Sequence, residues 1–165
     1  MELRILSPFG EYWELYENGY GLINYADKKV LDIGCDHGST ADFFIQKGAK
    51  FVIGIDSNPD FIAEFKKNIA KYSLPALVIA EVIDNANLLS RLILGFSPDV
   101  VKLDCEGCEK YLLDVPEDIL IKVPEYILEV HSNELLEQLK QKFVDYEIIT
   151  VPSTYLTNLY ASWKQ

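Results

Sequence analysis

The sequence predicts an α/β fold built on a mostly parallel sheet. Short apolar runs alternate with segments whose apolar residues recur at helical spacing, from Val30 to Phe143. That alternation is the pattern of strand–helix–strand units with right-handed crossovers. The first such strand, residues 30–33, ends in a loop with glycines at 34 and 38 that opens directly into a helix. The last two runs, residues 146–151 and 156–163, depart from the alternation; Pro152 and Ser153 mark a turn between them, so the final strand is antiparallel.

Residues 1–29 precede the first strand and are rich in aromatics: Phe9, Tyr12, Trp13, Tyr16, Tyr20 and Tyr25. Residues 11–17 can supply one or two helical turns. This segment is expected to be a cap, either a flap over a sheet edge or a lid over a ligand pocket, with residues 30–165 as the main domain. In the helix after the glycine loop, Ser39 and Thr40 are N-cap types, Phe43, Phe44 and Ile45 give apolar faces, and Gly48 suits the stop. Residues 51–55 form the second strand, which ends in Asp56. Asn58 and Pro59 cap and start a helix lined by Phe61, Ile62, Phe65 and Ile69, and Pro75 closes it. Residues 76–81 read as a third, buried strand, residues 83–87 as the loop at its carboxyl end, and Leu88, Leu89, Leu92 and Ile93 as a crossover helix. Residues 99–103 form the fourth strand, with Asp104 at its end. One or two short helices, broken at Pro116, occupy residues 112–122. Residues 126–130 form the fifth strand, followed by His131, and Leu135, Leu136, Leu139 and Phe143 line one helix face.

The strand–glycine loop–helix start suits a nucleotide-like ligand. Glycines let backbone approach the ligand, and the first N–H groups of a helix point at it. A carboxylate at Asp56 is placed to accept hydrogen bonds from both hydroxyls of a ribose. Asp32, near the end of a buried strand, needs partners to offset desolvation, from the loop backbone or from a cationic ligand. The spacing is G-x-x-x-G rather than G-x-G-x-x-G, which disfavours a nicotinamide dehydrogenase.

DIGCDHG at 32–38, with Asp56 ending the next strand, resembles the first motifs of class I S-adenosylmethionine-dependent methyltransferases. VKLDCEGCE at 101–109 is similar to the K-I-D-I-E-G-A-E signature of the FkbM-like methyltransferases, and YILEVH at 126–131 resembles that family's next strand. Asp36 replaces the usual middle glycine, and Cys108 the usual small residue before the last glutamate. The resemblance implies a Rossmann-like class I sandwich: a seven-stranded, mostly parallel sheet in the order 3-2-1-4-5-7-6, with ligands at the strand carboxyl ends. It implies S-adenosyl-L-methionine as cofactor, held by Asp32, Gly34, Cys35, Asp36, His37, Gly38, Asp56, Ser57 and Asp104, with Val82, Asp84 and Asn85 near adenine. It implies O-methylation of a small-molecule or sugar hydroxyl. His131, Asp104 and Glu106 are the expected catalytic groups: His131 first as base, Asp104 next, Glu106 as substrate orienter. The alternative is a non-catalytic S-adenosylmethionine- or nucleotide-binding module completed by a partner. Glu109 is expected to be a solvated helix residue. Cys105 and Cys108 make a CxxC, a pattern shared with redox and soft-metal sites; inside this signature they are expected to be structural, with no metal.

Composition sets the outer bounds. The chain has 165 residues, nearly half of them apolar, enough for one domain with a sizeable core. Its formal net charge of −11 repels phosphate backbones, so no nucleic-acid partner is expected, nor an anionic membrane. No run of 18 apolar residues argues for a membrane span. Three cysteines and no export signal point to a reducing cytoplasm and no disulfide framework.

Overall fold

Seven strands form one sheet in the order β3-β2-β1-β4-β5-β7-β6, the order the resemblance implies. They are β1 (Lys29–Ile33), β2 (Phe51–Asp56), β3 (Ala76–Ala80), β4 (Val100–Leu103), β5 (Glu125–Val130), β6 (Tyr146–Pro152) and β7 (Thr157–Trp163). Strands β1, β2 and β3 pair in parallel, as do β4 and β5, whereas β7 runs antiparallel to both β5 and β6. The computed structural model describes residues 1–6, 13–152 and 157–164. Phe9, Tyr12 and the turn residue Ser153 therefore lie outside the described residues. Among those described, no helix is long and apolar enough to cross a membrane. The chain divides into two compact units, Met1–Val82 and Ile83–Gln165.

In the first unit, Leu31, Ile33, Val52, Ile53 and Ile55 are buried strand residues beneath helices α2 (Ser39–Gln46) and α3 (Pro59–Tyr72). Helix α1 (Trp13–Tyr20) and Tyr25 lay their rings on α2: Trp13 and Phe43 have centroids 4.8 Å apart, Tyr25 and Phe44 4.9 Å. The described aromatics of the N-terminal segment thus cover a helix rather than a sheet edge, a large apolar area with edge-on and tilted ring contacts. Asp42, buried in α2, anchors the chain start by accepting from Arg4 N (2.6 Å) and Arg4 Nε (2.7 Å).

Two expectations are corrected here. The N-cap of α2 is Gly38 (φ 98°), not Ser39 or Thr40, which are helical. A Cβ at 38 would stand 2.4 Å from the Phe65 ring, so the capping position has no room for a side chain. The hydroxyls bond elsewhere, Ser39 to Tyr16 (2.7 Å) and Thr40 to Asp32 (2.6 Å). Strand β3 is half-exposed rather than buried, because it ends the sheet and has a neighbour on one side only. Asn58 and Pro59 do cap and start α3, the Asn58 side chain accepting from Asp60 N (2.9 Å).

In the second unit, all four residues of β4 are buried. Tyr126, Phe143, Tyr146 and Trp163 form a chain of ring contacts 4.9–5.1 Å apart. The Tyr126 and Tyr146 hydroxyls both lie 2.9 Å from the Leu120 carbonyl, and burial raises the pKa of each phenol. Helix α4 (Ala86–Phe96) is capped by Asn85 and α6 (Asn133–Lys142) by Ser132. Between β4 and β5 run a 3-10 helix, Cys108–Asp114, and α5 (Glu117–Leu120), separated at Pro116 as its fixed φ and missing N–H dictate.

Candidate functional site

The glycine loop of the first unit is a closed hydrogen-bonded turn. Gly34 N and Cys35 N both donate to the Ile55 carbonyl (2.9 and 3.2 Å), which stitches the end of β1 to the end of β2. Gly34 (φ 76°), Asp36 (φ 51°) and Gly38 (φ 98°) are left-handed, so the loop doubles back and Gly38 N reaches Cys35 O (3.0 Å). Asp56 holds this turn from outside. Its Oδ2 accepts from Asp36 N (3.0 Å) and its Oδ1 from Asn58 N (2.8 Å). A carboxylate has about four lone-pair directions, so two backbone donors leave capacity for two ribose hydroxyls.

Asp32 is fully buried and accepts from Thr40. Cys35 is buried, its sulfur backed against Gly54, where an added Cβ would lie 2.8 Å away. His37 is also buried: Nδ1 is 2.8 Å from Asp36 Oδ1, Nε2 is 3.1 Å from Leu6 O, and its carbonyl accepts from Asn68 (3.0 Å). Its side chain is engaged within the unit, beside a 490 Å³ cavity whose walls include Leu6, Phe61 and Asn68. Ser57 is exposed. Val82 is 56% exposed, a large apolar side chain next to a strand end that Glu81 N ties to the Asp56 carbonyl (2.9 Å). A glycine-bearing backbone turn, a half-exposed carboxylate and an uncovered apolar side chain at adjoining strand ends fit a nucleoside with a cationic tail.

In the second unit, Asp84 and Asn85 are exposed. Asn85 Oδ1 is used as the α4 cap, accepting from Leu88 N (2.9 Å), and the Asn85 amide donates to Asp84. Of the predicted catalytic groups, His131 and Glu106 come together, while Asp104 contacts Lys102 and Glu129. Leu103 pairs with Leu128, so the carboxyl ends of β4 and β5 are neighbours. His131 lies between two carboxylates: Nε2 is 3.4 Å from Glu106 Oε2, and Nδ1 is 3.7 Å from Glu109 Oε2. Glu106 (φ 57°) turns its side chain out, 89% exposed. Asp104 Oδ2 lies 3.6 Å from the Nζ of Lys102, a lysine buried in β4.

Sequence reasoning missed three features. Glu109, expected in solvent, is fully buried. Its Oε1 accepts from Cys105 N (3.3 Å), Oε2 and His131 Nδ1 have no hydrogen bond among the described residues, and burial raises its pKa. Glu129 hydrogen-bonds Asp104; burial first, then the charge of Asp104, pushes it up to about 7, against the pull of Lys102. Strand periodicity held the signal for Glu129, since residues 129 and 131 share a face. Cys105 and Cys108, expected to be structural in a chain without a disulfide framework, are joined by a disulfide with Cα atoms 5.6 Å apart.

No family model matches the chain. It is 31% identical over 123 residues to uncharacterized protein 158B of Sulfolobus islandicus rod-shaped virus 1, which covers 73% of this chain and 72% of the relative. It is 27% identical over 123 residues to uncharacterized protein 65 of Sulfolobus islandicus filamentous virus, covering 74% and 71%. An rRNA methylase from Streptococcus thermophilus superposes with a TM-score of 0.64 at 12% identity, over 98% of this chain and 99% of that one. The precorrin-6y C5,15-methyltransferase of Geobacter metallireducens gives 0.63 at 14% identity, over 100% and 94%. TrmK of M. capricolum, solved with S-adenosyl-homocysteine, gives 0.62 at 15% identity, over 92% and 68%. The fold is that of the class I S-adenosylmethionine-dependent methyltransferases.

Proposed function

We propose that this chain, which belongs to the same family as protein 158B of Sulfolobus islandicus rod-shaped virus 1, is an S-adenosylmethionine-dependent methyltransferase acting on a hydroxyl of a small molecule or sugar. The observation that carries the reading is the Asp56 carboxylate, which closes the glycine loop with two amides and keeps lone pairs for a ribose. S-adenosylmethionine supplies an electrophilic methyl group on a sulfonium. The glycine turn of residues 34–38 lets backbone lie against the ligand, Asp32 contributes negative charge, and Asp56 with Ser57 receives the ribose. The class I resemblance assigns Val82, Asp84 and Asn85 to the adenine and adds Asp104 to the cofactor-binding residues.

In-line methyl transfer needs alignment more than bond-making help. A hydroxyl acceptor also needs a group that takes its proton. His131 serves as that base, with Glu109 behind Nδ1 and Glu106 beside Nε2. The exposed Glu106 side chain orients the acceptor. Glu129 of β5, which hydrogen-bonds Asp104 and is pushed up to about 7, is a second group able to hold a proton near neutral pH. A neutral acceptor agrees with the net charge of −11, which repels polyphosphates. The VKLDCEGCE segment supports an FkbM-like subfamily.

Mass spectrometry of the purified protein for retained S-adenosylmethionine or its demethylated product tests the cofactor, with calorimetry as the quantitative check. Absence of binding by both methods removes the reading. Binding with turnover only on RNA keeps the methyltransferase and overturns the acceptor.

A further inference from the structure

We propose that Cys105 and Cys108 form a thiol–disulfide exchange centre whose state is sensed by His131 through Glu109. The turn between the cysteines is shaped for sulfur pairing. Glu106 and Gly107 are both left-handed (φ 57° and 111°), which brings the two Cα atoms to 5.6 Å, inside the range a disulfide requires. A Cβ on Gly107 would meet nothing within 4 Å, so glycine is there for its backbone angle and not for packing space. The ring encloses only two intervening residues, and so short a loop restricts the unfolded chain least. A stability staple is therefore the weakest account of it. Cys105 is half-buried and Cys108 buried, the arrangement of an attacking and a resolving sulfur.

Closing the ring changes what Glu109 receives. Cys105 offers two groups to Glu109 Oε1: its N–H at 3.3 Å and its sulfur at 3.8 Å. A thiol donates its hydrogen to that oxygen; a disulfide has none to give. The other oxygen of Glu109 is 3.7 Å from His131 Nδ1, and neither atom has another hydrogen bond among the described residues. The charged groups acting on Glu109 are His131 from the end of β5 and Asp104 from the end of β4. On the helices packed against this segment, Arg91 of α4 and Glu134 and Glu137 of α6 are exposed, Lys140 pairs with Glu137, and Lys142 is half-exposed. Losing the thiol donor weakens the ionised form of a buried carboxylate, and its hold on His131 with it.

The exchange balances with a low-molecular-weight disulfide as oxidant. The Cys105 thiolate attacks one of its sulfurs and expels the first thiolate, leaving a mixed disulfide. The Cys108 thiolate then attacks Cys105 Sγ and expels the second. The protein dithiol loses two electrons and two protons, and the small disulfide gains both as two thiols.

The test uses the full chain in reduced and oxidised glutathione buffers. Alkylation after denaturation should count three thiols in the reduced form and one in the oxidised form, because Cys35 lies outside the disulfide. The two histidines give two imidazole proton resonances. Reduction at fixed pH should move the His131 resonance and leave that of His37 in place. Glu109→Gln should keep the thiol count and lose the shift. If that variant does not fold, Cys105→Ser decides, since its hydroxyl donates in both buffers and should hold the resonance at the reduced position. Three thiols in oxidised buffer, an unmoved His131 resonance, or the full shift persisting in Glu109→Gln or Cys105→Ser would each overturn the proposal. Neither readout uses S-adenosylmethionine or an acceptor, so this result and the methyltransferase reading stand or fall separately.

Discussion

The loop after β1 and the loop after β4 each set a histidine Nδ1 beside a carboxylate oxygen, at 2.8 Å for His37 and Asp36 and at 3.7 Å for His131 and Glu109, yet they differ in what else holds their carboxylates. In the first, acidic groups are occupied by nearby donors: Asp36 N and Asn58 N on Asp56, Thr40 on Asp32. In the second, Glu109 Oε2 and His131 Nδ1 face each other at 3.7 Å without a hydrogen bond among the described residues, and Glu129 is pushed up to about 7. A loop whose carboxylates hold backbone amides suits a rigid receptor, because changing their protonation breaks bonds. An unsatisfied one holds groups that can gain and lose protons at modest cost, which a chemical step requires.

The largest effect expected from this contrast is on turnover. His131→Ala should lower methyl transfer about 10²–10⁴-fold while calorimetry finds cofactor affinity nearly intact. Loss of both together would erase the distinction between receptor and reactive loop. Asp56→Ala should do the reverse, weakening S-adenosylmethionine binding by about 1.5–3 kcal/mol; unchanged affinity in a folded variant would remove Asp56 from the receptor.

Glu129 sharpens the contrast through pH. Its folded pKa of about 7 exceeds the unfolded carboxylate value of about 4.3, so the folded state binds more protons between them. Stability from this group is present below that window and lost as pH rises through it. After discounting for a half-exposed site, Glu129→Gln should remove about 1–2 kcal/mol of stability difference between pH 4 and pH 8. Urea melts of both proteins at the two pH values measure it, and identical pH dependence would contradict the assignment. The smallest effect concerns Asn85, whose side chain caps α4. Asn85→Ala should cost about 1 kcal/mol of stability, and calorimetry separates any contact with adenine from the cap.

The glycine turn after β1 was legible in the sequence because its determinants are local. A strand pattern, glycines at left-handed positions and a carboxylate ending the next strand lie within a short stretch, and strand order followed from the resemblance. The N-cap of α2 was misread because the decisive neighbour, Phe65, arrives from another helix. Glu109 was misread for the same kind of reason: its burial depends on His131 and Cys105, and nothing in a helix-start pattern distinguishes an inward glutamate from an outward one. Exposure of β3 depends on which strand ends the sheet, a property of the whole order and not of residues 76–80.

The Phe65 ring touches two glycines far apart in sequence. A Cβ at Gly38 would stand 2.4 Å from it, and one at Gly54 2.6 Å. Gly54 has no left-handed φ, so its constraint is steric alone, whereas Gly38 carries a backbone constraint as well. The two positions should therefore behave differently in a suppressor screen. An alanine at 54, which would also stand 2.8 Å from Cys35 Sγ, should be rescued by Phe65→Leu once Cys35 is shortened to alanine as well. The same second change should rescue an alanine at 38 only in part, because it relieves the collision and leaves the strained dihedral. Mutational histories of this chain should accordingly permit exchange of volume at 54 against volume at 65 and 35 together, and leave position 38 nearly invariant.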